Sequence, residues 1–189
     1  MNFPSDENLQ EIGRVCVAFS ELERNHAILL EILADVPWTT GAIIASQLSF
    51  PKMLDVTNAL FLHHVPESSL KSEFDKMLKQ SGDAEAQRNS IIHSYYFVDD
   101  TSPTRELIRT KNTARRGQGL RQQRQIIEPA VLRKLSDDLA AAAEEVAKFI
   151  LTLLPILTEK MELAKNSEPT TGPHPSVNHL GPSANDVHS

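Results

Sequence analysis

Arg88, Asn89 and His93 fall within six consecutive residues, Arg88-Asn89-Ser90-Ile91-Ile92-His93, and Ser94-Tyr95-Tyr96-Phe97 follow directly. Arginine is always charged and forks onto phosphate oxygens. Histidine takes or gives a proton near neutral pH. These are two of the parts that metal-free cleavage of a phosphodiester needs. Helix geometry tests the arrangement. Asn89 and His93 are four apart and share a face. Arg88 and His93 are five apart, about 140° around the axis. One rigid helix therefore permits Arg88 and His93 to converge but does not force it. A plainer arrangement is equally compatible with the spacing: Arg88 pairs with an acid such as Glu23 or Glu85, and His93 sits at a helix end, where the dipole favours a cation.

A second feature lies just downstream. Between Arg105 and Arg124 stand seven cations (Arg105, Arg109, Lys111, Arg115, Arg116, Arg121 and Arg124) and one acid, Glu106. The window carries +6 in a chain whose formal net charge is −6, so the remainder is −12. Such a patch attracts a polyanion, with affinity falling as salt rises; it also serves simply to balance an acidic body. Arg105, Arg109, Lys111, Arg115 and Arg116 are the candidate backbone contacts. Tyr95 is a candidate base-stacking residue, although Tyr95, Tyr96 and Phe97 suit core and rim positions as well.

Other chemistry is sparse. His63 and His64 are adjacent, so they point to different sides of a helix and make a poor metal site. His26 has no spaced partner and is expected at a surface or edge. No Cys/His framework suggests zinc, and no Gly-rich loop suggests a phosphate cradle. Neither metal nor cofactor is expected. The single cysteine, Cys16, cannot form an internal disulfide, and Met1–Gln10 is polar with no apolar leader. Both fit a cytoplasmic protein. The most apolar run, Val146–Leu157, is too short to span a bilayer.

The elements that must position these residues read as helices. Ala, Leu, Glu, Lys and Gln dominate, and Gly is scarce. Helix one is expected over about 7–34, capped by Ser5 or Asp6 and ended before Pro37. Helix two spans about 39–65, with Pro51 kinking or breaking it near Ser49-Phe50. Helix three covers about 67–96, with a fault at Ser81-Gly82-Asp83 and a restart capped by Asp83. A long basic connection of about 98–126 follows, and a short hairpin within it stays open. Helix four begins at Pro129 and runs to about 165, kinked at Pro155. The expected fold is all-α: a four-helix bundle over 1–165 with kinked second and fourth helices, a long basic loop before the last helix, and a disordered tail over 166–189.

A helical bundle carrying Arg-Asn-x-x-x-His near the end of its third helix, here Arg88-Asn89 to His93 with aromatics just after, resembles the HEPN superfamily. The overall resemblance covers about 7–165, and only the six-residue motif is specific. It implies a homodimer whose two motifs line one cleft. It also implies metal-independent RNA cleavage of the kind found in toxin–antitoxin, antiphage and RNA-processing systems. Arg88 would then hold the scissile phosphate, His93 would transfer protons, and Asn89 would orient substrate or His93. The same resemblance also allows a non-catalytic module that holds a protein partner or a nucleotide.

Overall fold

The computed structural model describes residues 4–65, 69–99, 106–115 and 119–167. Five helices and one small sheet follow in the order α1 (Asp6–Ala34), α2 (Trp38–Ser46), α3 (Phe50–His64), α4 (Lys71–Ile92), β1 (Tyr95–Val98), β2 (Leu107–Arg115), β3 (Gly119–Ile126) and α5 (Pro129–Ser167). The expectation of a purely all-α four-helix bundle is therefore corrected: a three-stranded antiparallel sheet, ordered β1-β2-β3, replaces most of the long basic loop.

α1 starts where Ser5 Oγ accepts the Asn8 amide at 3.3 Å, with Asp6 and Glu7 in the first turn. It stops at Asp35, whose left-handed backbone (φ 50°) closes the helix ahead of Pro37. Its stripe Val15, Phe19, Leu22, Leu29 and Leu33 is buried against the α5 stripe Leu132, Leu139, Val146, Phe149 and Leu153. Asn25 Nδ2 donates to the Ala143 carbonyl at 2.9 Å, and Arg133 of α5 bonds the buried Glu11 at 2.8 Å, which fixes the pairing of these two long helices. Phe61 of α3 stacks on Phe74 of α4 at 3.9 Å between centroids, and Phe149 of α5 lies 5.4 Å from Phe74. That aromatic trio joins α3, α4 and α5.

The helices follow the expectation in part. Of the kink or break expected in the second helix, the structure has the break, which divides it into α2 and α3. Ser49 takes the cap position of α3 and Pro51 falls in its first turn, where a missing amide hydrogen costs nothing. The third helix has no fault at Ser81-Gly82-Asp83. Ser81 is buried and hydrogen-bonded to His26, and Asp83 pairs with Lys79 instead of capping a restart. Tertiary packing overrides the weak local propensity there. The third helix, expected to reach 96, ends at Ile92, and Tyr95–Val98 form β1 instead; α5 runs to Ser167 with Pro155 inside it. The expected start of helix three at 67 and the tail from 168 onward lie outside the described residues. No helix among the described residues is long and apolar enough to cross a membrane.

The sheet has two unlike faces. Tyr96, Arg109 and Gln125 are aligned across the strands, and so are Phe97, Ile108 and Ile126 on the opposite face. The first row turns toward α4. Leu107, two residues before Arg109, is buried on the same side.

Candidate functional site

The carboxyl end of α4 carries the motif. Among the described residues, Arg88 pairs directly with no acid. Its guanidinium carbon lies 4.4 Å from the centroid of the buried Phe19 ring, and NH1 donates to Asn89 Oδ1 at 2.9 Å. Asn89 Nδ2 in turn donates to Glu85 Oε1 at 2.9 Å. Arg88 and Asn89 are thus engaged with each other, and the acid is reached through the amide. Arg88 Nε is buried without a hydrogen-bond partner.

His93 is the residue that closes α4. Its amide donates to the Asn89 carbonyl at 3.3 Å, while its exposed ring has no partner among the described residues. Within one copy, no hydrogen bond joins His93 to Arg88 or to the Asn89 side chain. The plain expectation for His93, a helix-end residue, matches its position.

The last carbonyls of α4 are held from the sheet. Tyr96 donates its hydroxyl to the Ile91 carbonyl at 2.7 Å, and Ser94 Oγ donates to the Ser90 carbonyl at 2.6 Å. Arg109 NH1 donates to the Ser90 carbonyl at 2.9 Å and to Ser90 Oγ at 3.0 Å, and its NH2 donates to Gln125 Oε1 at 2.7 Å. A cation from β2 thus caps the negative end of the helix dipole. Burial pushes the Tyr96 hydroxyl up to about 12, with the Arg109 charge pulling it back down.

The candidate contacts therefore separate. Arg109 is only 9% exposed and ties β2 and β3 to α4, a structural strut where a substrate contact was expected. Lys111 is half-buried on β2, and Arg115 closes the ladder opposite Gly119. Tyr95 is 70% exposed at the ladder position of Thr110. Arg105 and Arg116 lie outside the described residues. Every residue of β3 is exposed, including Arg121 and Arg124. No Asp or Glu occurs from Leu107 to Ile127.

A groove of about 370 Å³ runs between α4, the sheet and α5, lined by Gln87, Ser90, Arg109, Gln125, Lys134 and Asp138 among others. Of the motif it holds Ser90 and Ile91 but neither Arg88 nor His93. Lys134 there is paired with Asp138 at 2.7 Å. No group of three or more His, Cys, Asp or Glu side chains among the described residues is placed to hold a metal ion.

Sequence reasoning missed Ser90, Tyr96 and Gln125 as the partners that bind the ribbon to the helix. It also missed Phe19 as the seat of Arg88. One signal pointed to the first group: Tyr96 and Val98 alternate with Tyr95 and Phe97, a period of two that marks a strand with two faces. His26, expected at a surface, is fully buried. Its Nε2 hydrogen-bonds Ser81 Oγ at 2.8 Å, and burial lowers its pKa to about 4.

Comparison with protein-family models, with curated proteins and with solved structures returns no match to this chain.

Proposed function

We propose that this chain acts on RNA, as a HEPN-like endoribonuclease completed by a second copy of itself. One observation carries the RNA reading. Arg109 fastens the acid-free β2–β3 ribbon to Ser90, inside the turn that carries Arg88, Asn89 and His93. A polyanion drawn to the ribbon is thereby held beside that turn.

The second copy answers the angular problem. Arg88 of one copy and His93 of the other would meet across a two-fold axis. Arg88, released from Asn89, would hold the scissile phosphate and its developing charge. His93, exposed and without a side-chain partner, would take the proton of the ribose 2′-hydroxyl. The 2′-oxygen then bonds to phosphorus as the bond to the 5′-oxygen breaks. The leaving 5′-oxygen takes a proton from water, and the products are a 2′,3′-cyclic phosphate and a 5′-hydroxyl end. The expected result is RNA cleavage that persists in EDTA and disappears in both Arg88→Ala and His93→Ala, with circular dichroism unchanged. Cleavage that survives His93→Ala refutes this mechanism.

The engagement of Arg88 with Phe19 and Asn89 favours a second reading, a non-catalytic RNA-binding module. That reading expects RNA binding without cleavage, undiminished in His93→Ala.

A further inference from the structure

We propose that the outward face of the sheet is a stacking platform for single-stranded RNA, an inference that rests on the RNA-directed reading above. The face is defined by register. Tyr95, Thr110 and Arg124 form one row across the three strands, and Phe97, Ile108 and Ile126 form the next. On the opposite face Tyr96 and Arg109 bond to the end of α4, and Leu107 is buried.

Two aromatic rings stand open on this face: Tyr95 is 70% and Phe97 39% exposed. They are two residues apart on one strand, so roughly 6.6 Å separates them along β1. That spacing suits consecutive bases splayed out of a helix. Exposed aromatics on an antiparallel sheet offer π-faces to any base. Paired bases in a duplex cannot use them.

Charge selects the occupant. Arg124 lies in the Tyr95 row, about 10 Å from it across two strand spacings. It has no acid partner among the described residues, and the ribbon supplies no acid on either face. A second copy laid on this face would bring another acid-free ribbon to Arg124. A phosphate answers it directly.

Thr110, between Tyr95 and Arg124, is only 5% exposed, so contact in this row falls to Tyr95 and Arg124.

The test uses the full chain and a fluorescein-labelled oligouridine with 2′-O-methyl groups, which lacks the attacking hydroxyl and so separates binding from cleavage. Anisotropy titration should show that Tyr95→Ala and Phe97→Ala each weaken binding by about tenfold, with circular dichroism unchanged. Tyr95→Phe should retain wild-type affinity. Arg124→Gln should reduce the slope of log K against log salt by about 0.7. Single-stranded binding that is indifferent to both alanine variants overturns the platform and leaves the RNA-directed reading standing. Tighter binding of the duplex form than of the single strand does the same. A wild-type protein that binds neither form at low salt overturns both. Light scattering that shows a dimer dispersed by Tyr95→Ala, with RNA affinity unchanged, assigns the face to a second copy and overturns the platform.

Discussion

The helical body and the β2–β3 ribbon manage charge in opposite ways. In the body, cations are answered locally: Lys79 by Asp83, Lys134 by Asp138, Lys148 by Glu144 and Arg133 by Glu11. In the ribbon, Lys111 and Arg124 have no acid within their own strands to answer them. Burial divides the same way. The body closes over long apolar stripes and the phenylalanine trio, whereas β3 is exposed along its whole length. Ion pairs at a surface contribute little to stability, roughly 0–1 kcal/mol each, but they neutralise these cations within a body that is acidic overall. Under the proposed function, the ribbon's charge serves an RNA backbone. The two regions meet at Arg109, a ribbon cation that is spent inward.

The sharpest way to separate the regions is to damage the body alone. Phe74→Ala removes a fully buried ring that stacks on Phe61 and meets Phe149 at a tilt. A loss of about 3–5 kcal/mol in unfolding free energy is expected, read as a lower urea midpoint. Under the proposed function, RNA affinity per folded molecule should stay the same. A matching loss of affinity in the folded fraction would mean that body and ribbon are not separable.

pH probes the body next. His26 is neutral and buried, with its pKa lowered from 6.5 to about 4 by desolvation. Between those two values the unfolded chain binds a proton that the native chain refuses. Stability therefore rises with pH across this window. It is at its full value above 6.5 and is lost as pH falls toward 4, by about 3 kcal/mol in total. Carboxylates titrate nearby, so His26 is read as the difference from His26→Leu/Ser81→Ala, in which both polar partners are removed together. That double variant should show a shallower decline of melting temperature with acid. An identical slope would show that His26 is not the source.

These contrasts explain which parts of the fold were legible in the sequence. The stripes of α1 and α5 carry the helical period, and Ser5, Pro37 and Pro129 mark helix ends through chemistry local to the chain. The sheet was not legible as a fold because its apolar alternation is broken. Arg109 stands at an inward position where an apolar residue is the rule, and β3 has no buried face at all. Ser81-Gly82 reads as a helix fault until His26, 55 residues earlier, is known to hold it. For the candidate site, the motif could be found by type and spacing. The direction of Arg88 could not, since Phe19 comes from another helix.

The joint between the regions should fail by a smaller amount. Arg109→Ala removes the bonds to Ser90 and Gln125 and uncaps the end of α4. About 1–3 kcal/mol of global stability is expected to go. Amide hydrogen exchange should accelerate first in β2, β3 and the last turn of α4, leaving α1 and α5 protected. Tyr96→Phe removes one bond, to the Ile91 carbonyl, and should cost about 1 kcal/mol. Uniform acceleration through α1 and α5 would show that the ribbon is part of one cooperative unit with the body.

The smallest expected change in stability is in the ribbon itself. Lys111 is half-buried, and its ammonium has no acid partner among the described residues. Glutamine keeps most of its alkyl stem, so the packing along β2 survives. Lys111→Gln should therefore change unfolding free energy by no more than about 0.5 kcal/mol. Under the proposed function, its effect belongs to the salt dependence of RNA binding. One released counterion on a single strand corresponds to a slope smaller by about 0.7, and the loss should be the same for every RNA sequence tried. Lys134→Gln supplies the contrast, because that charge is already neutralised by Asp138 and should leave the slope unchanged. If the two variants flatten the salt dependence equally, the ribbon has no privileged charge. The division between paired body cations and an open ribbon then collapses into a uniform surface.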